Sequence, residues 1–167
     1  MPIQIYLADI RDPFDAQSML QMLAVYHESL MGNHGPLPEK VRDTVIAGLA
    51  TFDNHRLFLA VDEDSGETES RRAVGMAVCF VNYSTFRALP LINVHDLAVH
   101  PEYQGQRIGK SLLERVIAYA HENQHCAVTL EVRKDNVNAL KLYRKLGFTG
   151  IEEQAGDEAM LFGKLTL

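Results

Sequence analysis

The sequence predicts an α/β (α+β) chain, a central sheet of six to seven strands with helices on both faces. Three observations predict it. Short β-rich segments alternate with segments of helical periodicity along the whole chain. A strand at 92–99 passes through a glycine-bearing turn into a strongly amphipathic helix. A later strand at 127–133 passes through Lys134-Asp135-Asn136 into a helix closed by Gly147.

The elements follow in order. Ile3 to Ala8 alternates and reads as the first strand. Asp12 offers an N-cap carboxylate and Pro13 the first helical position, opening a helix to about Met31. Phe14, Leu20, Leu23, Tyr26, His27 and Leu30 give it a mostly apolar face. Gly32 to Pro38 is a loop, and a second helix spans about Pro38 to Phe52 with Val41, Val45 and Leu49 on one face. Arg56 to Val61 and Ala73 to Tyr83 form a hairpin around the charged turn Asp62 to Arg72. Ser84 to Leu91 is a loop and Ile92 to Val99 the fourth strand. The helix from about Arg107 to Asn123 aligns Ile108, Leu112, Val116 and Ala120. Ala127 to Arg133 is a strand, Asn136 to Leu146 a helix, and Phe148 to Glu152 and Glu158 to Leu165 the last strands. No repeat or linker divides residues 1–167, which read as one domain.

Composition narrows the function. The chain is 47% hydrophobic and 23% charged, ordinary for a soluble globular protein. Its net charge of −6 argues against nucleic acid as the main partner. No run approaches a membrane span, and the N-terminus lacks the pattern of a signal peptide. Cys79 and Cys126 lie in apolar surroundings without metal-ligand spacing, so they read as buried reduced thiols in a cytoplasmic setting.

Val99 to Lys110 carries the strongest chemical signal. A strand, a glycine turn and a helix start aim a row of free backbone N–H groups at one spot, at the positive end of the helix dipole. That is a site for an anion, usually phosphate. A Walker A loop would end correctly in Gly109-Lys110-Ser111, but Gln104 occupies the place of its first glycine. A dinucleotide fingerprint needs three glycines, and only Gly105 and Gly109 are present. A turn that merely caps a helix is the plain alternative. Against it, Lys110 and Ser111 stand in the first turn where acids normally complement the dipole.

Gln104-Gly105-Gln106-Arg107-Ile108-Gly109 resembles the Gln/Arg-x-x-Gly-x-Gly/Ala loop of the GNAT superfamily of acetyltransferases. Gln104 and Gly109 match, while Arg107 stands where the middle glycine usually is. Only left-handed backbone demands glycine, and a helix-starting residue need not be one. Leu130 to Phe148 is similar to the second hallmark of that family: a strand, Asn-x-x-Ala at a helix start, then Leu-Tyr and Gly-Phe. The resemblance covers residues 92–149. It implies a mixed, mostly antiparallel twisted sheet with strands four and five splayed around acetyl-CoA. The CoA pyrophosphate would lie on Gln104, Gly105, Gln106, Arg107, Ile108, Gly109 and Lys110. The pantetheine arm would pair with Leu97, Ala98 and Val99 and meet Asn136, Ala139 and Tyr143 from the other side. Asn136 and Tyr143, two helical turns apart, share a face, with the small Ala139 between them. Asn136 as a simple N-cap and Tyr143 as a core aromatic are the structural readings of the same residues.

The resemblance implies an acetyl-CoA-dependent N-acetyltransferase acting on a small-molecule primary amine by direct attack in a ternary complex. Such an amine has a pKa of about 10.4 and must lose a proton. Tyr143 resembles the family's general acid for the departing thiolate. Ile92 to Val99 resembles the strand-four segment of polyamine and small-amine acetyltransferases, with His95 in place of a glutamate base. Strand alternation puts Asp96 on the opposite face from His95, where it reads as a structural carboxylate paired with loop N–H groups before it reads as a substrate ligand. His27 and Glu28 line the acceptor pocket or face solvent. The same alternation separates His95 from His100, so no metal is expected. The family readings also include a protein or peptide N-acetyltransferase, a non-catalytic acyl-CoA-binding domain, and a homodimer through the late strands.

Overall fold

Among the described residues, six strands form one sheet, each hydrogen-bonded to the next in chain order. The computed structural model describes residues 3–63, 71–151 and 160–167. The strands are β1 (Ile3–Ala8), β2 (His55–Asp62), β3 (Arg72–Ser84), β4 (Leu89–Val99), β5 (Ala127–Arg133) and β6 (Met160–Thr166). All neighbours are antiparallel except β4 and β5, which run parallel. The helices are α1 (Pro13–Glu28), α2 (Glu39–Leu49), α3 (Ile108–Glu122) and α4 (Val137–Lys145).

Local chemistry explains the helix ends. The Asp12 carboxylate accepts from the N–H groups of Phe14 and Asp15, at 2.9 and 3.1 Å, as an N-cap with proline behind it should. Ser29 ends α1 early, before Met31, because its hydroxyl turns back onto the Tyr26 carbonyl at 2.7 Å. The fully buried positions of α1 are Asp15, Ser18, Met19 and Met22, while Phe14, Leu23 and Tyr26 of the predicted row pack partly buried beside them. Asp15 belongs inside because its carboxylate accepts from the Tyr6 hydroxyl at 2.7 Å and the Asp9 N–H at 2.9 Å. Leu30, expected on the apolar face, is exposed.

The sheet has a core on each face. One side packs α3 and α4 through Ile108, Leu112, Leu113, Val116 and Leu140 onto Phe58, Val74, Ala77, Ile92 and Val94. The other packs α1 through Met19 and Met22 onto Leu57, Leu59, Met76, Val78 and Ala98. Each fully buried side chain of this size contributes about 1.5–3 kcal/mol.

Three expected boundaries change. The fourth strand begins at Leu89, pairing Ser84 with Leu89 and Tyr83 with Pro90, so the predicted loop shrinks to residues 85–88. Pro90 reads as a strand breaker in sequence but is tolerated near a hairpin end. Phe148 to Ile151 forms no strand beyond a single bridge between Thr149 and Lys164. Gly150 stops it: its φ is +84°, and its backbone lies so close to the Phe162 carbonyl that a Cβ would come within 2.7 Å. Most of the charged turn at 62–72, together with Glu152 and Glu158, lies outside the described residues.

Candidate active site

The sheet opens between β4 and β5. Their ladder pairs Ile92 with Val128, Asn93 with Thr129 and Val94 with Leu130, and goes no further. β4 continues to Val99, held by β3 alone, and β5 continues to Arg133, held by β6 alone. The β5-facing edge of His95 to Val99 is therefore an unpaired strand edge lining a cleft. Leu97, Ala98 and Val99 lie along it, as predicted.

At the end of that edge the chain turns through a 3-10 turn, Pro101–Tyr103, into α3. Two residues of the turn are left-handed, Gly105 at φ +78° and Arg107 at φ +65°. Arg107 is therefore left-handed, the backbone that favours glycine, and not the ordinary helix-starting residue that the sequence analysis expected. It is the N-cap of α3 and makes no side-chain cap. The first turn of α3 holds no acid. Among the described residues, the N–H groups from Gly105 to Lys110 find no protein acceptor; the next, Ser111, reaches the Arg107 carbonyl at 3.0 Å. Six unpaired donors at a positive helix end form a cradle of the kind that suits an anion. Gly109 leaves it open, since a Cβ there would only touch Val99 and Leu142 at 3.6 and 3.8 Å. Side chains near the cradle are engaged elsewhere. Gln104 Nε2 donates to the Val99 carbonyl at 3.3 Å, Gln106 Nε2 to the Glu102 carbonyl at 3.2 Å, and Lys110 pairs with Glu114 one turn on.

Across the cleft, Asn136 caps α4: its Oδ1 accepts from the Ala139 N–H at 3.2 Å, leaving its amide N–H groups available. Tyr143 is buried on the inner face of α4 with its ring against Phe148 at 5.8 Å. Burial, with Tyr26 adding to it, pushes the Tyr143 phenol up to about 12. Its hydroxyl makes no hydrogen bond to the described residues and stays protonated at neutral pH.

The middle of β4 departs from simple alternation. Val78 of β3 pairs with Asp96 and Cys79 with Val94, so His95 is the extra residue of a β-bulge. Val94 faces the α3 side and Asp96 the α1 side. His95 also lies on the α1 side, its ring edge-on to Phe80 at 5.5 Å. The expectation that Asp96 points away from His95 is therefore wrong, because it assumed an unbroken period of two. The expected pairing of Asp96 with loop N–H groups is absent too. Its carboxylate makes no hydrogen bond to the described residues, and burial holds its pKa above the usual carboxylate range, with His95 pulling the other way.

Tyr26 is the residue that sequence reading placed only on an apolar helix face. Burial raises its pKa, the charge of Asp96 raises it further and Arg133 of β5 lowers it. Tyr26 in turn adds to the rise at Tyr143, so its charge couples α1 to both β4 and α4. His27, one residue on, is committed to the following loop: Nδ1 meets the Gly35 carbonyl at 2.7 Å and Nε2 the Asn33 amide at 3.0 Å. Glu28 is exposed and unpaired among the described residues. No group of three or more His, Cys, Asp or Glu that could hold a metal occurs among the described residues.

A profile of the acetyltransferase (GNAT) family matches residues 18–148. The chain belongs to the GNAT family. An uncharacterized N-acetyltransferase of Archaeoglobus fulgidus is 35% identical over 132 residues, 77% of this GNAT chain and 85% of that protein. The thialysine N-epsilon-acetyltransferase of Bos taurus is 30% identical over 102 residues, 61% of this chain and 59% of the bovine one. The match spans 34% of an uncharacterized N-acetyltransferase of Methanocaldococcus jannaschii, so the chain covers under two thirds of several relatives. Among solved structures, a chain of the NatC complex bound to Gag peptide and CoA superimposes with a TM-score of 0.73 at 22% identity, covering 100% of this chain and 99% of that one. That likeness shows the same fold, and the β4–β5 ladder that ends at Val94 and Leu130 is the splay that the sequence motifs imply. In the described residues of this chain the GNAT sheet has six strands. No helix of the described residues is long and apolar enough to cross a membrane.

Proposed function

We propose that this chain is an N-acetyltransferase that moves an acetyl group from acetyl-CoA to the primary amine of a small molecule, by direct attack in a ternary complex. The observation that carries this is the convergence, at the opening between β4 and β5, of an anion cradle, a free strand edge, a protonated buried phenol and a half-buried carboxylate.

Acetyl-CoA supplies the activated thioester. The N–H groups of Gly105 to Lys110 suit its pyrophosphate, and the free edge of Leu97 to Val99 suits the amides of its arm as an added strand would. Backbone N–H groups on the same edge would hold the oxyanion. Asp96 draws the ammonium form of the acceptor into the site and takes its proton, directly or through a water. His95, exposed beside it, connects that proton to solvent. Asp96 is favoured over His95 as the base because it is the more buried of the two and faces Tyr26 and the cleft. Tyr143 holds its proton until the sulfur leaves as a thiolate, then donates it.

A small-molecule acceptor fits the bovine thialysine enzyme among the relatives, while the peptide in the NatC structure supports a protein N-terminus as the second reading. The test is thiol release from acetyl-CoA over a panel of amines, amino acids and peptides, with product masses checked. Tyr143→Phe keeps the ring packing and should cut turnover by roughly 10²–10⁴-fold while CoA binding stays within about threefold. Turnover unchanged in Tyr143→Phe would remove it as the acid. Transfer to peptides alone would replace the small-molecule reading.

A further inference from the structure

Helix α2 is amphipathic yet buries none of its residues completely. Its apolar positions Val41, Val45 and Leu49 line one wall of an open groove of about 430 Å³, with Phe52 at one end and Phe80 of β3 opposite. That volume lies in the range of small-ligand pockets, roughly 300–1,000 Å³. The groove has almost no polar wall; Thr44 and the Gly48 backbone are its only other lining. Phe52 is 57% exposed, a large apolar surface left facing water.

The groove is continuous with the proposed acceptor site. Phe80 is shared: it lines the groove, and its ring meets the His95 ring edge-on at 5.5 Å. From the groove the surface therefore runs across Phe80 to His95 and then to Asp96, apolar at one end and carboxylate at the other. Asp96 has no hydrogen-bond partner among the described residues, and a cation is the partner its charge would take. A ligand matching this surface has an ammonium group at one end and an apolar body at the other.

Resting on the acetyltransfer reading, we infer that the acceptor is a primary amine carrying an aliphatic or aromatic group, which sits in the α2–Phe80 groove while the amine meets Asp96. Polyamines and hydroxylated amines place a charge or a hydroxyl in that groove and are disfavoured, since a buried polar group without a partner costs binding. Phe80, Val45 and Leu49 are the specificity-determining side chains.

The experiment compares thiol release with ethanolamine, butylamine, hexylamine, phenethylamine and spermidine. Each buried methylene should raise kcat/KM about fourfold, and phenethylamine should exceed ethanolamine by roughly 10-fold or more. Gly48→Phe fills the groove. A Cβ at Gly48 meets nothing within 4 Å, and glycine is a poor helix residue, so the variant should melt no lower than the parent. It should reduce the phenethylamine-to-ethanolamine ratio by about 10-fold or more. Calorimetric binding of phenethylamine with CoA present reads the groove without turnover.

Hexylamine and phenethylamine performing no better than ethanolamine, or a preference that survives Gly48→Phe, would overturn the inference and leave acetyl transfer standing. Phenethylamine binding that Gly48→Phe abolishes, without thiol release from any amine, would keep the groove and remove the transfer reading. Phenethylamine that neither binds nor turns over would overturn the groove. A shift from dimer to monomer in sedimentation on Gly48→Phe would assign the face to contact between copies and overturn it as well.

Discussion

The Tyr103 hydroxyl donates a 2.9 Å hydrogen bond to Oδ2 of Asp62, tying the 3-10 turn ahead of the anion cradle to the end of β2. Asp62 is fully buried, and the bond holds the Tyr103 phenol above its ordinary pKa. A hydrogen bond to a charged group is worth about 1.5–3 kcal/mol. Tyr103→Phe should therefore lower stability by about 1–2 kcal/mol in chemical denaturation. It should also weaken CoA binding several-fold, because the donors of Gly105 to Lys110 lose their anchor. CoA affinity equal to that of the parent would show that the turn holds its shape without Tyr103.

Arg107 offers a stability gain. A left-handed residue with a Cβ costs about 1–2 kcal/mol, whereas glycine pays only its extra freedom when unfolded, about 0.4–1 kcal/mol. Arg107→Gly should raise Tm by about 1–3 °C for a chain of this size. Differential scanning calorimetry checks this, and a lower Tm would place the strain elsewhere.

Asp96 should trade stability for activity. Burial raises its folded pKa above the unfolded value, so ionising it costs the folded state as pH rises through that raised pKa. Asp96→Asn should melt higher than the parent at pH 7–8, and the gap should close below pH about 4, where the unfolded carboxyl is itself protonated. Turnover should drop by roughly 10²-fold or more, and the acid limb of the pH–rate profile should disappear. An unchanged acid limb would assign the proton transfer to another group, with His95→Ala the next variant to measure.

His125 makes the fold acid-sensitive. It is buried with Nδ1 unpartnered among the described residues, its ring edge-on to Tyr119 at 5.8 Å. Burial, helped by Arg56, lowers its pKa, as burial and Arg72 lower that of His100. A depressed histidine leaves stability intact above the unfolded pKa of about 6.5 and removes it as pH falls below that value. His125→Phe keeps the ring contact and removes the orphan nitrogen. Its Tm should exceed the parent's and fall less between pH 6.5 and 5, while His100 and Asp96 keep their contributions in both proteins. An identical pH slope in parent and variant would acquit His125.

The two site motifs were legible because each is local. The cradle from Gln104 to Lys110 and the cap from Asn136 to Ala139 form within a few residues of chain, so residue type and spacing signal them, with Arg107 the exception whose left-handed backbone its residue type does not announce. The fully buried positions of α1 escaped the sequence reading for the opposite reason. Asp15 is polar, and only its partners off the helix, the Tyr6 hydroxyl and the Asp9 N–H, make its burial affordable.

By itself the sequence determined the family, the order of strands and helices, the glycine turn that starts α3 without an acid, and the alignment of Asn136 with Tyr143. Only the tertiary structure decided which face of β4 each side chain takes. The bulge at His95 arises from the mismatch between β3 and β4, two strands whose register is set by everything packed around them. That single extra residue turns Asp96 toward Tyr26 and places it beside His95 and Phe80. The carboxylate, the phenols and the apolar groove come from five separate elements, and such convergence exists only once both faces of the sheet are packed.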